Sequence, residues 1–354
     1  MRVVGAGLGF ALGAACLAAC TDDSPMPSDQ KLAYVETAGG IPGGRIVSVA
    51  ADGGQRQVLW ERPNPGTSAL NAILYPSPSG RTILVLDFSD PPLGYFTLPV
   101  TGGSSTPFVA PADAIVPEWS PDESAIAWVI SNPGMQIGIA PPGSSSISIL
   151  TPDSLFVAEK QWSPDGTRLA FRAYDPDNSI EQHIYTVART GGAIHPLAAD
   201  PGNRDSDPAW SPSGDLIAFI RQHNGVSENN GVWVSRPDGS EQRLVSAGVF
   251  TVAAGLYWSP DGTELMATPS MQGYTRIDVA TGAQTPVGHF GGPFPANPWS
   301  PDGTRITYLG RTPPDENENT GPSVLVATPS GTQAVQVSPD SVYGSGQVWL
   351  PLAR

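Results

Sequence analysis

Histidine is the first residue type to examine for chemistry, because imidazole serves both as a metal ligand and as an acid–base group. The chain contains His183, His195, His223 and His289. No two of them lie four residues apart, and none has the spacing that is typical of a zinc site. We interpret them as loop or strand-end residues, and the sequence predicts no catalytic residue and no metal centre built on histidine.

Serine and acidic residues offer two further kinds of chemistry. Ser345 lies between two glycines, but the pentapeptide Gly-x-Ser-x-Gly of a hydrolase nucleophile elbow does not occur. Asp175, Asp177 and Glu181 lie in the oxygen-rich stretch YDPDNSIEQH. Calcium binds about six to eight oxygen ligands, so these three residues are candidate Ca²⁺ ligands and Ca²⁺ the one candidate cofactor. The stretch lacks the spacing of a recognised calcium loop, and a solvated loop is the favoured alternative.

The N-terminus predicts export and lipid attachment. An apolar run of small residues follows Arg2 and ends in Leu17-Ala18-Ala19-Cys20, which resembles the lipobox of bacterial lipoproteins. That resemblance implies a signal peptide over 1–19, cleavage before Cys20, and acylation of Cys20, which anchors the protein to a membrane outside the cytoplasm. The expected site is the outer membrane, facing the periplasm or the cell surface, if the cell has one. Residues 20–31 then form a flexible tether, and 32–354 form the folded domain.

The amino-acid composition limits the fold class and the kinds of partner that we expect. The formal net charge is −15, which argues against nucleic acid and against adsorption onto anionic lipid headgroups. Only 14% of the residues are charged, whereas 40 are glycine and 38 are proline. Many short strands joined by tight turns would use this composition, so it predicts an all-β protein.

A Trp-Ser-Pro-Asp-Gly element repeats along the chain. It occurs as WSPDE at 119, WSPDG at 162, WSPSG at 210, and WSPDG at 258 and 299, with a degenerate copy, PSPSG, at 76. Proline and Asp suit the second and third positions of a type I turn, and Gly suits the left-handed residue that follows. The Trp supplies a large apolar group for packing between neighbouring sheets.

A second series of Gly turns gives an independent count. Seven such turns, from Gly53 to Gly331, recur every 41 to 49 residues. Six turns of the first kind and seven of the second predict seven four-stranded blades, of which the first lacks a strand. The C-terminal GQVWLPLAR, with Trp349 in the place of the repeated Trp, is expected to supply that strand and close the ring. Six blades are the alternative.

The repeats also carry a family resemblance. WSPDGTRLAF at 162 and WSPDGTRITY at 299 are similar to the repeats of TolB-type β-propellers. The resemblance covers about 32–354 and implies a propeller without the N-terminal α/β domain of TolB itself. Some propellers of this type are lyases of pectate fragments, with several histidines on a metal near the axis.

Propeller topology predicts where ligands bind. Both kinds of Gly turn fall at one end, which we call the turn face. The loops between second and third strands, and those between blades, fall at the other end, which we call the loop face. Binding residues commonly lie on such loops. The candidate contact residues on the loop face are Asp205, Asp207, Gln222, His223, Asn229, Asn230, Phe290 and Phe294.

These features predict a monomeric, membrane-anchored, extracytoplasmic lipoprotein whose propeller binds a protein or peptide on the loop face and is not an enzyme. The alternative is a carbohydrate-active lyase or hydrolase with a site at the central channel. Carboxylates, arginine and histidine converging on the channel would favour the enzyme, whereas a broad mixed surface would favour docking.

Overall fold

The computed structural model describes residues 29–38, 43–62, 69–89, 94–132, 134–198, 202–223, 229–250, 255–270, 273–287, 297–310, 323–339 and 342–351. Over these ranges the fold is all-β, as predicted, and they include no helix long and apolar enough to cross a membrane. The predicted signal peptide, Cys20, His289, Phe290 and Phe294 lie outside the described residues.

The described chain forms 27 strands. The first fourteen are β1 (Lys31–Ala38), β2 (Arg45–Ala50), β3 (Gln57–Glu61), β4 (Ala72–Pro76), β5 (Thr82–Asp87), β6 (Gly94–Pro99), β7 (Thr106–Pro107), β8 (Ala114–Trp119), β9 (Ile126–Ile130), β10 (Gln136–Ala140), β11 (Ser148–Ile149), β12 (Phe156–Trp162), β13 (Arg168–Asp175) and β14 (Asn178–Ala188). The others are β15 (His195–Ala198), β16 (Asn203–Trp210), β17 (Ile217–His223), β18 (Gly231–Ser235), β19 (Arg243–Ala247), β20 (Tyr257–Trp258), β21 (Glu264–Ser270), β22 (Gly273–Asp278), β23 (Gln284–Val287), β24 (Ile306–Gly310), β25 (Ser323–Ala327), β26 (Val335–Gln336) and β27 (Val342–Leu350).

Hydrogen bonds join these strands into six sheets within the described ranges. Four sheets have four strands each, β27-β1-β2-β3, β4 to β7, β8 to β11 and β20 to β23, while β12 to β19 form one sheet of eight and β24 to β26 one of three. The prediction of seven separate four-stranded sheets is therefore wrong, and six equal blades are not found either. A parallel bridge between Gln182 and Arg204 merges two repeat units into the eight-stranded sheet, and Trp299 reaches β24 only through an isolated bridge.

Closure of the ring by the C-terminal strand is confirmed. Strand β27 pairs antiparallel with β1, and the register places Trp349 opposite Leu32. The sheet order β27-β1-β2-β3 thus combines one C-terminal strand with three N-terminal ones. The pairing of β27 with β1 covers a strand edge that would otherwise be free. A free edge can pair with a strand of another molecule, so closure protects against such association.

The repeated turn has the predicted chemistry. In the copy at 162, the Gly166 N–H donates to the Ser163 carbonyl at 2.8 Å, and Gly166 adopts a φ of 68°. The Ser163 hydroxyl donates to Asp165 Oδ1 at 2.6 Å, and the same oxygen accepts the Thr167 N–H at 3.0 Å. The Asp in this turn therefore serves the turn itself, which explains its presence without any ligand.

Four of the repeated Trp residues link their unit to the one before it by a hydrogen bond. Trp162 Nε1 donates to the carbonyl of Glu118 at 3.2 Å, and Trp349 Nε1 donates to that of Pro298 at 2.8 Å. In each case the acceptor is the residue that precedes the previous repeated Trp. Two further indoles follow the same rule, namely those of Trp119 and Trp258. The core lies in apolar layers between neighbouring sheets, as where β17 to β19 meet β20 to β22.

Candidate functional site

Four of the predicted contact residues lie together at the loop face. The backbone N–H of His223 donates to Asn230 Oδ1 at 2.7 Å, and Gln222 Nε2 donates to the Phe250 carbonyl at 3.0 Å. The Asn229 carbonyl accepts the Trp233 indole N–H at 3.0 Å. Asn229 is exposed and the other three contact residues are half-buried, so Gln222, His223, Asn229 and Asn230 remain candidates for contact with a ligand.

Asp205 is a correction, because it is completely buried. Its carboxylate accepts two hydrogen bonds from Arg221, from Nε at 2.8 Å and from the second terminal nitrogen at 2.9 Å. The guanidinium also lies over the Trp233 ring, 5.0 Å from its centroid. The prediction of Asp205 as a contact residue is therefore wrong, because its strand turns this side chain into the protein rather than toward the loops.

Asp207 is a second correction, because only 6% of it is exposed and it lies in the middle of β16. It has a φ of 54°, at a point where the register of β16 shifts. Its N–H donates to Glu159 Oε2 at 2.8 Å, and its Oδ1 accepts the Gly255 N–H at 2.8 Å. Asp207 therefore belongs to the wall between neighbouring units and not to the exposed loops.

The candidate calcium ligands Asp175 and Asp177 hydrogen-bond within one turn, whereas the third, Glu181, has a different hydrogen-bond partner. Asp175 and Asp177 are exposed, and Asp175 Oδ1 accepts the Asp177 N–H at 2.9 Å within their own turn. Glu181 instead accepts the Gly202 N–H at 3.2 Å. Over the ranges that the structure describes, no group of three or more His, Cys, Asp or Glu side chains could hold a metal ion.

The first strands of the units surround the axis of the propeller. Contacts join β27 to β4, β4 to β8, β12 to β16 and β16 to β20, and each of these strands is the first or the closing inner strand of its unit. The residues three positions before each repeated Trp, and three positions before Pro76 in the degenerate copy, lie at the same height along this wall. On that level Ile73 is 41% exposed and Val116 is 47% exposed, whereas the next two positions are Glu159 and Asp207. The channel wall is therefore apolar on one side and acidic on the next.

Glu159 is the centre of the acidic side. Its Oε1 lies 2.7 Å from the guanidinium of Arg172, its partner across β12 and β13. Arg172 also donates to Gln182 Oε1 at 2.6 Å. The Glu159 side chain keeps 24% of its surface exposed, although its Oε1 atom is buried.

Burial and the nearby Asp207 carboxylate raise the pKa of Glu159 to about 7, against the opposing effect of Arg172. Burial also raises the pKa of Glu118, which is opposed by Lys160, and burial lowers the pKa of Lys160. The Lys160 ammonium lies 3.7 Å from Glu118 and donates to the Val116 carbonyl at 2.7 Å. A carboxyl group that titrates near neutrality can accept or release a proton under ordinary conditions.

The sequence analysis missed this channel cluster. The available signal was the third position before the Trp, where a carboxylate in one unit can accept the N–H of the same position in the next unit. Glu159 and Asp207 occupy that position in two successive copies. Glu159 could have been found, and Asp207 assigned to the same position, by aligning the copies on their Trp and comparing the residue types position by position.

This fold, a closed β-propeller with an acidic channel wall, has a recognisable family. Residues 29–279 match the TolB beta propeller domain, and the chain belongs to that family. The resemblance predicted from the Trp-Ser-Pro-Asp-Gly repeats is thereby confirmed.

Two curated relatives match over short stretches. The chain is 30% identical to the uncharacterized peptidase YuxL of Bacillus subtilis over 126 residues, which is 34% of this chain and 18% of that protein. It is 38% identical to the Tol-Pal system protein TolB of Wolbachia pipientis wMel over 68 residues, which is 19% of this chain and 16% of that protein. The matches thus span less than a fifth of each relative.

Among solved structures, the fold is similar to that of an oligogalacturonate lyase in complex with manganese. The TM-score is 0.59 at 15% identity, and the match covers 86% of this chain and 84% of the lyase. At this identity the likeness shows the fold alone. The part of the chain that the structure describes offers no group of residues that fits the manganese of that complex.

The prediction that the chain is not an enzyme is overturned by these likenesses. One relative at 30% identity is a peptidase, and a propeller of the same fold is a lyase. The missing nucleophile elbow and the scattered histidines therefore do not exclude catalysis. The carboxylates and Arg172 in the channel wall are a feature that favours an enzyme.

Proposed function

We propose that this protein is an extracytoplasmic lipoprotein whose propeller binds a basic segment of a protein or peptide. The segment enters the channel from the loop face, past Gln222 and His223, and places a cationic group at Glu159. The protein acts as a monomer and is held at the membrane by acylated Cys20.

The eight-stranded sheet contains two copies of the repeat. Its first and fifth strands, β12 and β16, each end in a repeated Trp, and each begins four strands of one repeat. The link between the two halves is the bridge from Gln182 to Arg204. The closing strand β27 adds the seventh Trp position, at Trp349.

The anchor determines which face meets the ligand. Strand β1 begins at Lys31, beside the end of β27, so the chain enters the propeller at the turn face. Only eight residues, 21–28, lie between Cys20 and Asp29, and a fully extended chain spans at most about 3.3–3.6 Å for each residue step. The turn face is therefore held within roughly 30 Å of the membrane surface, and the loop face opens away from it.

Charge favours a basic ligand. The net charge of −15 attracts cations over the whole surface and speeds their association. The observation that carries the proposal is the Glu159 side chain, which keeps 24% of its surface exposed and accepts the Asp207 N–H at 2.8 Å. Burial and the Asp207 carboxylate raise the pKa of Glu159 to about 7, and an added cation would stabilise its ionised form.

Fluorescence anisotropy with labelled hexalysine at low ionic strength tests this proposal. We expect hexalysine to bind and labelled hexaglutamate not to bind. Replacing Glu159→Gln should weaken hexalysine binding by about tenfold or more, because a hydrogen bond to a charged group contributes roughly 1.5–3 kcal/mol. Glu61→Gln, at an exposed position on the outer strand β3, is the control. Equal affinity of both variants for hexalysine would place binding elsewhere on the acidic surface and refute the site.

A second candidate function is an enzyme that removes a proton from a carbohydrate. The observation that favours it is the placement of Arg172 2.7 Å from Glu159. A carboxylate whose pKa is near 7 can act as a general base, and the neighbouring guanidinium can bind an acidic sugar. Incubation with oligogalacturonate, followed by the ultraviolet absorbance of an unsaturated product, tests it. Product that forms with the wild type but not with Glu159→Gln would support the enzyme, and no product would exclude this substrate.

A further inference from the structure

One copy of the repeat lacks its Trp. The first turn reads PSPSG, so Pro76 stands where the other copies have Trp119, Trp162 and their equivalents. In four other copies an indole donates to the carbonyl of the residue before the preceding repeat position, as Trp162 does to Glu118. The gap between the first unit and the second therefore has no indole from the repeat itself.

The acceptor for the missing indole can be identified by the same rule. Trp349 ends the inner strand of the first unit, so the equivalent carbonyl is that of Val348. None of the indole N–H groups in the described ranges donates to it. The repeat thus leaves both an apolar space and an acceptor position.

A cavity of about 220 Å³ lies at this position. Its wall includes Pro76, Val348, Trp349 and Pro351 at this gap, and it extends to Trp299 and to the polar residues Asn297 and Ser300 of the preceding unit. The Trp299 indole is 4% exposed, and its N–H has no hydrogen-bond partner, so the cavity wall also holds an unpaired buried donor. Leaving a buried donor unpaired is unfavourable, and a carbonyl acceptor of a bound peptide segment, rather than the indole N–H itself, is the group that could pair with it.

We propose that this cavity binds an aromatic side chain, of the size of indole, from a peptide segment of another molecule. An apolar cavity of about 150 Å³ is enough to hold benzene, so the present one accommodates a larger ring. Tryptophan rings in its wall favour edge-to-face or offset contacts with a second aromatic ring. Residues 21–28 include no aromatic residue and cannot supply the ring.

Ligand-observed NMR with N-acetyl-tryptophanamide tests the proposal on the full folded domain, independently of hexalysine binding. We expect N-acetyl-tryptophanamide to bind at least fivefold more tightly than N-acetyl-leucinamide. Pro76→Trp should fill the cavity, raise the melting temperature and abolish binding. Ser213→Trp, which adds an indole elsewhere on the turn face, should leave binding unchanged.

A second variant, Trp299→Phe, keeps the proposal testable if Pro76→Trp does not fold. Trp299→Phe keeps most of the packing and removes the unpaired N–H, and it should weaken binding less than Pro76→Trp does. Unchanged binding in folded Pro76→Trp, or equal binding of the leucine and tryptophan probes, would overturn the proposal. Preferential binding of decanoate would also overturn it, because the occupant would then be an acyl chain.

Discussion

Trp349→Ala should destabilise the propeller as strongly as the loss of any repeated Trp. The side chain is 6% exposed, packs with Leu32 and Tyr34, and donates its indole N–H to the Pro298 carbonyl at 2.8 Å. Replacing a buried Trp by Ala costs about 3–5 kcal/mol. A domain of this size loses roughly 2 °C of melting temperature per kcal/mol, so we expect a decrease of about 6–10 °C.

Thermal unfolding by circular dichroism measures this effect on the soluble domain that begins after Cys20. Trp162→Ala is the matched variant, because Trp162 is also buried and donates to the equivalent carbonyl. Trp60→Ala is the control, since Trp60 is half-buried on the outer strand β3. The two buried variants should melt within a few degrees of each other and below Trp60→Ala. If Trp349→Ala melted like the wild type, the C-terminal strand would not close the ring.

Three further predictions follow from the anchor, the channel and the ring. Cys20→Ser should move the protein from the membrane fraction to the soluble fraction or block its maturation, and unchanged fractionation on immunoblots would contradict the lipid anchor. Glu159 has a pKa raised from 4.5 to about 7, so its contribution to stability is complete below about pH 4.5 and is lost as the pH rises toward 7. The melting temperature of the wild type minus that of Glu159→Gln should fall between about pH 4.5 and 7, whereas a constant difference would refute the raised pKa of Glu159. Gly80→Ala should destabilise more than Gly143→Ala, because both have positive φ but only a Cβ at Gly80 would clash with the Pro351 carbonyl. Equal losses on denaturant unfolding would contradict the close contact between Gly80 and the C-terminus.

The turns and the ring closure could be predicted from the sequence, because they depend on local chemistry and on counting. Pro164, Asp165 and Gly166 fit a turn in any context, and Trp349 stands in line with the other copies. The division into sheets could not be predicted in the same way. A bridge between Gln182 and Arg204 merges two units, and repeat spacing contains no information about such a bridge.

The channel cluster escaped prediction because strand alternation fails where the inner strands bulge. Register shifts occur between Val157 and Glu159 and between Ser206 and Ala209. Each shift changes which side chains face the axis and which face the next unit. Glu159 was therefore not identified, whereas Asp205 was misplaced for a different reason: it was assigned to a loop but lies in β16, buried against Arg221.

Proton release on binding tests the central claim that a cationic group sits at Glu159. With a pKa of about 7, this carboxyl is about half protonated at pH 7, and a neighbouring cation would lower its pKa. Calorimetric titration of hexalysine at pH 7, repeated in buffers of different ionisation enthalpy, counts the protons exchanged. We predict release of up to about half a proton per peptide for the wild type and none for Glu159→Gln. Binding heats of the wild type that do not depend on the buffer would contradict the claim.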